Sequence, residues 1–165
     1  MPIERAVVEA LNSQMGRELE AHLQYLSVSS WFDAEGLPEL SRFFAAQAAE
    51  EHAHAMKFLS YIQDAGGAVA IPSLQAPKAD FEGAEEAIGL ALEWENSVTA
   101  HINAAMDLAI ERNDHATQVF LNWFVTEQVE EVATMTELLQ VTRRAGERNL
   151  LLVEDYVARS APTPE

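Results

Sequence analysis

Four stretches of the chain carry apolar residues at the three- and four-residue spacing that lines one face of a helix. In the first, about residues 3–34, Leu11, Met15, Leu19, Leu23 and Leu26 recur with no internal proline. Gly36 and the following Leu37-Pro38 end this run and start the second, about residues 38–65, with Leu40, Phe44, Phe58 and Ile62 inward. Gly66-Gly67 stops it. Residues 66–82 hold Pro72 and Pro77 and show no helical period, so they predict an extended connection. At up to about 3.3 Å per residue it can run the length of a bundle, which makes the second and third helices parallel. The third, about residues 83–112, turns Ile88, Ala91, Val98, Ile102 and Ala109 inward; Asn113-Asp114 then forms a tight turn with Asp114 as N-cap. The fourth, about residues 115–145, does the same with Leu121, Phe124, Met135 and Leu138, up to Gly146. A short fifth helix, about residues 149–159, leads into a tail, 160–165, expected to be disordered. The pattern predicts one all-α domain over residues 1–165: a four-helix bundle with a long crossover between helices two and three and a short fifth helix.

Polar residues interrupt these inward rows at matching depths. The first row contains Glu18, the second Glu51 and His54, the third Glu95, and the fourth Gln128 and Glu131 with Glu127 beside them. Each lies near the middle of its helix, so all can meet at one level whichever way the helices run. The positions also repeat: the same 33-residue interval separates Glu18 from Glu51 and Glu95 from Gln128, and His54 or Glu131 follows three residues later. Residues three apart are neighbours on one helix face. A single such residue is better explained by a solvated or salt-bridged position. Four carboxylates converging in a core are not, because each would cost several kcal/mol unless they share protons or bind cations. A Glu-x-x-His pair with partner carboxylates on other helices is the arrangement that holds two divalent ions in a bundle. The mixture of glutamate and histidine suits iron or manganese better than calcium or magnesium.

Composition narrows the chemistry further. The chain has 165 residues, enough to bury a sizeable core, and 48% are hydrophobic. It contains no cysteine, which excludes thiolate zinc sites, iron–sulfur clusters, thiol catalysis and disulfides. A formal charge of −17 argues against nucleic acid as a partner. No apolar run approaches the ~18 residues of a membrane span, and the first residues lack the basic and apolar regions of a secretory signal, so the expected location is the cytoplasm. The remaining histidines lack the support of the repeat. His22, one turn after Glu18, reads as a core or interface residue, and His52, His101 and His115 as surface or subunit-contact residues. Tyr25 reads first as a core tyrosine, although beside a redox metal it could donate an electron; Trp123 carries the same ambiguity.

The segments Leu11 to Met15, Glu18 to Tyr25, Ala49 to His54 and Asn122 to Glu131, with the fifth helix, resemble the non-haem bacterial ferritins of the actinobacterial type, over essentially the whole chain. The resemblance implies a ferritin-like bundle, 24 copies forming a hollow cage, and a ferroxidase that oxidises Fe(II) with O2 or peroxide before the ferric mineral is stored. It implies that Glu18, Glu51 and His54 hold one iron, with Glu51 bridging to a second held by Glu95 and Glu131. Gln128 matches a nearby polar residue that is not a strong ligand. Glu50, Glu127 and Glu130, with Glu131, resemble a third iron position, and Tyr25 matches a tyrosine beside the centre.

Two departures argue against the neighbouring bacterioferritins, which bind haem between subunits. Their second half offers Glu-x-x-His where this chain has Gln128-x-x-Glu131, and their haem-gripping methionine is replaced by His52. Histidine also ligates haem, so the second departure weakens the haem reading without removing it. A mini-ferritin of the DNA-protecting type fits less well, since its iron ligands span subunit interfaces. A non-cage di-iron oxidase or peroxidase of the rubrerythrin-like class, and a helical interaction protein without activity, are the readings from other classes.

Overall fold

The structure is a computed structural model and describes residues 3–160. Its helices are α1 (Arg5–Ala34), α2 (Pro38–Asp64), α3 (Ala84–Glu111), α4 (His115–Ala145) and, after a 3-10 turn at Glu147–Asn149, α5 (Leu150–Ser160). The first four form the bundle, with α1 paired to α2 and α3 to α4, while α5 docks across α2 and α4. The expected all-α bundle with its crossover and short fifth helix is therefore what the chain forms. Ser160 closes α5, and the expectation of disorder for residues 161–165 lies outside the described residues. Among the described residues no helix is long and apolar enough to cross a membrane.

The turns follow from local chemistry. Gly36, at φ 74°, reverses the chain after α1, and the Leu37 N–H reaches back to the Phe32 carbonyl at 2.9 Å. Asn113, at φ 54°, does the same after α3, and Asp114 then accepts the Thr117 N–H at 3.0 Å as the expected N-cap of α4.

The crossover from α2 to α3 is held along α1 by amide side chains that bond its backbone as a neighbouring strand would. Asn12 donates to the Ala68 carbonyl and accepts the Ala70 N–H, both at 2.9 Å. Farther along, Gln24 donates to the Lys78 carbonyl and accepts the Lys78 N–H, again at 2.9 Å. Between them Pro72 lies so close to Gly16 that a Cβ there would overlap its ring, which accounts for a glycine in mid-helix. Because the connection climbs α1 from Asn12 to Gln24, α3 starts at the end where α2 started. The two are parallel.

The buried apolar residues divide into two groups. One contains Tyr25, Phe32, Phe44, Ile88, Ala91, Met135 and Leu138. The other contains Leu11, Met15, Ala55, Phe58, Val98, Ile102, Leu121 and Phe124. Along every bundle helix the change from one group to the other falls at a buried carboxylate: Glu18, Glu51, Glu95 or Glu131. Not every expected inward position is in the core. Leu19 and Leu23 are half-buried and Leu26 is 44% exposed, because α1 turns Asn12, Gln14, Gln24 and small residues inward for the crossover and the polar layer.

Two carboxylates from the last segment cap other helices. Glu154 on α5 accepts the N–H groups of Glu39 and Leu40 at 2.9 and 2.8 Å, and Glu147 accepts those of Ala84 and Glu85 at 3.1 and 2.9 Å. Both place negative charge at a helix N-terminus whose donors are otherwise unpaired. Glu154→Ala is expected to destabilise the folded chain by about 1–3 kcal/mol, since two donors of the α2 first turn lose a charged acceptor. A urea midpoint unchanged from wild type would reject that role.

Candidate metal centre

The middle of the bundle assembles the predicted residues from four helices. Glu18, Glu51, His54 and Glu95 are at most 4% exposed and Glu131 is 5% exposed. Their ligand atoms form overlapping groups within 4.8 Å: Glu18 with Glu51 and His54, and Glu51 with Glu95 and Glu131. Glu51 belongs to both, so its carboxylate is common to two positions. A third group joins His54, Glu127 and Glu131.

The hydrogen-bond inventory around the first group is incomplete in one direction. Gln14 donates to Glu18 Oε1 at 2.8 Å, leaving Glu18 Oε2 buried without a partner; Glu51 Oε1 and His54 Nδ1 are also unpartnered. His54 Nδ1 lies 3.6 Å from Glu51 Oε2 and 3.9 Å from Glu18 Oε2. These separations are too long for hydrogen bonds and suit atoms that share one ion. Trp123 and Phe124 pack edgewise on the His54 ring at 5.4 and 5.8 Å, which fixes its plane. Lys57 covers the outer face of Trp123, 3.0 Å from the ring centre.

The second group is oriented from outside. The Tyr25 hydroxyl donates to Glu95 Oε1, and the Gln128 amide donates to Glu95 Oε2 at 3.1 Å and to the Glu95 carbonyl at 3.2 Å. Gln128 thus serves this group as a donor that holds Glu95. Glu50 and Glu130 are exposed, each about 100° around its helix from Glu51 or Glu131, and Glu50 stands near enough to His54, Glu127 and Glu131 for their charges to act on one another. Glu50 also accepts the Gln47 amide at 3.0 Å. Of the residues expected at a third position, the structure groups Glu127 and Glu131 with His54 and sets Glu50 beside them.

Burial pushes these acids toward their neutral forms, aided next by neighbouring carboxylates at Glu18, Glu51 and Glu131 and opposed at Glu95 by the hydrogen bonds from Tyr25 and Gln128. Glu18 and Glu51 lie well above the ordinary range, Glu95 is raised, and Glu131 rises to about 8. The Tyr25 phenol is also raised, by burial and then by Glu95. A divalent ion reverses this balance, because it supplies the positive charge that the acids lack. Gln14 and Thr99, whose hydroxyl lies 3.2 Å from the Gln128 amide, were not among the expected residues. Their signal is a polar side chain one turn from a ligand on the same stripe.

Residues 8–145 match the family model described as a ferritin-like domain. The chain is 40% identical over 149 residues to the ferritin BfrB of Mycolicibacterium smegmatis, covering 90% of this chain and 82% of that protein. It is 35% identical over 150 residues to the bacterial non-heme ferritin of Staphylococcus aureus, covering 90% of each. The open-pore ferritin of the archaeon Archaeoglobus fulgidus superposes with a TM-score of 0.92 at 34% identity, over 96% of this chain and 98% of that one. With four bundle helices meeting at buried acids, and with likeness to these proteins along nearly its whole length, the chain belongs to the ferritin family.

Proposed function

We propose that the protein stores iron and is a ferroxidase, oxidising Fe(II) at the centre held by Glu18, Glu51, His54, Glu95 and Glu131. The observation that carries this reading is the set of unpartnered buried atoms on Glu18, Glu51 and His54, next to a second acid group that shares Glu51. Two Fe(II) ions bind as substrate, about 3.5–4 Å apart as in other two-metal sites. Each gives up one electron. O2 takes the two electrons and two protons and leaves as hydrogen peroxide; with peroxide as oxidant, the same two electrons and two protons yield two waters.

The ferric product then has to leave. Glu95 and Glu131 form the weaker half, in which Gln128 contributes hydrogen bonds and no charge. Glu127, which groups with His54 and Glu131 and is half-buried, offers the next position toward solvent. Storage requires a cage, for which 24 copies is the expected number. The exposed Leu151 (76%) and Leu152 (64%) on α5, with Val119 and Val129 on α4, provide apolar surface for contacts between copies.

Aerobic Fe(II) addition followed by size-exclusion chromatography and iron quantification tests the proposal. The expected outcome is one large species that retains far more iron per chain than its carboxylates could coordinate. A monomer or dimer that turns over Fe(II) and holds only a few ions would instead indicate a non-cage di-iron oxidase or peroxidase.

A further inference from the structure

We propose that Lys57 protects Trp123 from oxidation by the hydrogen peroxide that the centre releases, an inference that rests on the ferroxidase reading. Trp123 combines two exposures. Its ring packs against the ligand His54 with centroids 5.4 Å apart, and it is 41% exposed. Tyr25, the other oxidisable ring at the centre, is fully buried. Peroxide leaving on the His54 side therefore meets an electron-rich indole. In the damaging step one ring C–H bond and the peroxide O–O bond break, a C–O bond and an O–H bond form, and water leaves. The indole loses two electrons and the peroxide gains them.

The placement of Lys57 bears directly on that step. His54 and Lys57 are three residues apart on α2, hence neighbours on one face, and both meet the Trp123 ring of α4. The imidazole packs against it at the centre, and the Lys57 ammonium lies 3.0 Å from the ring centroid. The chain has two lysines and 27 acidic residues. Lys78 pairs with Glu86, whereas Lys57 takes part in no ion pair among the described residues and sits on the indole face. The negative face of the ring is its partner.

The contact opposes oxidation in two ways. As an oxidant draws electrons from the indole, the ring becomes positive and its attraction for the ammonium turns into repulsion, which raises the barrier. The lysine stem also covers the face that would otherwise be open. The benefit reaches the centre itself. An oxygen added to Trp123 would set a polar group beside His54 and loosen the wall that fixes the imidazole plane, so protection of the indole preserves the ligand through repeated turnover.

Two experiments on the full-length protein, read residue by residue in peptide mass spectrometry, test the proposal. In the first, metal-free wild type, Lys57→Gln and Lys57→Arg are treated with limiting N-bromosuccinimide, a neutral electrophile that oxidises indoles, and Trp31 and Trp94 serve as references within the same chain. Relative to those two, Trp123 is expected to react roughly fivefold or more faster in Lys57→Gln than in wild type, with Lys57→Arg close to wild type because the cation is kept. In the second, each protein is taken through repeated additions of Fe(II) in air. Trp123 is expected to gain an oxygen in Lys57→Gln and to stay intact in wild type and Lys57→Arg. Equal Trp123 reactivity in wild type and Lys57→Gln without metal overturns the proposal, as does an intact Trp123 in Lys57→Gln after iron turnover. Absence of Fe(II) oxidation in all three proteins overturns the ferroxidase reading and with it the source of the oxidant, an outcome separate from the metal-free comparison, which measures the effect of Lys57 on the indole alone.

Discussion

Glu51→Ala is expected to slow initial Fe(II) oxidation by about a hundredfold or more, because one substitution removes a ligand from both ion positions. Glu51 shares one group with Glu18 and His54 and another with Glu95 and Glu131. Outer partners of metal ligands already contribute roughly 10- to 100-fold, and a ligand common to two ions contributes at least that much. The same substitution is expected to leave the metal-free chain as stable as wild type or more so. It removes a buried acid held well above the ordinary range by burial and by Glu95. Stopped-flow oxidation and urea unfolding of metal-free protein distinguish this outcome from simple misfolding. Wild-type initial rates in the Glu51→Ala protein would sink the assignment.

Metal-free protein is expected to lose stability as pH rises from about 5 to 8, and divalent metal is expected to restore it. Folding raises the affinity of Glu131 for its proton, to a pKa of about 8 from the ordinary 4.5. Between those values the unfolded chain has released a proton that the folded chain retains. Stability then falls with rising pH, is greatest below about 4.5 as far as this group is concerned, and its contribution is exhausted above about 8. The loss amounts to several kcal/mol at most for Glu131, and Glu18, Glu51 and Glu95 shift in the same direction. Ion binding displaces these protons, so affinity for divalent metal rises over the same window. Urea midpoints across this range, with and without Mn(II), measure the effect, and Glu131→Gln should flatten the metal-free slope. An equal slope in that variant would show that Glu131 does not carry the pH dependence.

The bundle was legible because its helices carry their own punctuation. Gly36, Gly66, Asp114 and Gly146 stand where the chain reverses or a helix begins, and the inward rows of α2, α3 and α4 are all buried. The row of α1 was less legible. Its leucines follow a helical period, but Asn12 and Gln24 occupy buried positions to hold the crossover backbone, a demand no local pattern announces. The acids of the centre could be picked out because a charged residue inside an apolar row has few inexpensive explanations, and four at one depth have fewer. The third group was harder. Glu50, Glu127 and Glu130 are alike as sequence, and only the rotation of each helix decides that Glu127 groups with His54 and Glu131 while Glu50 stays at the rim, near enough for its charge to act on them. Gln128 reads from sequence only as a nearby polar residue that is not a strong ligand; its amide contacts with Glu95 give it the task of holding that acid.

The capping carboxylates of Glu147 and Glu154 have a consequence beyond helix stability. They tie the starts of the two parallel helices, α3 and α2, to the last segment of the chain. Those helices carry Glu95 and Glu51, so the axial placement of two ligands on different halves of the bundle is referenced to a common end plate. Shortening the chain before Glu147 would remove that datum. The acids would then depend on side-chain packing alone to stay level with one another.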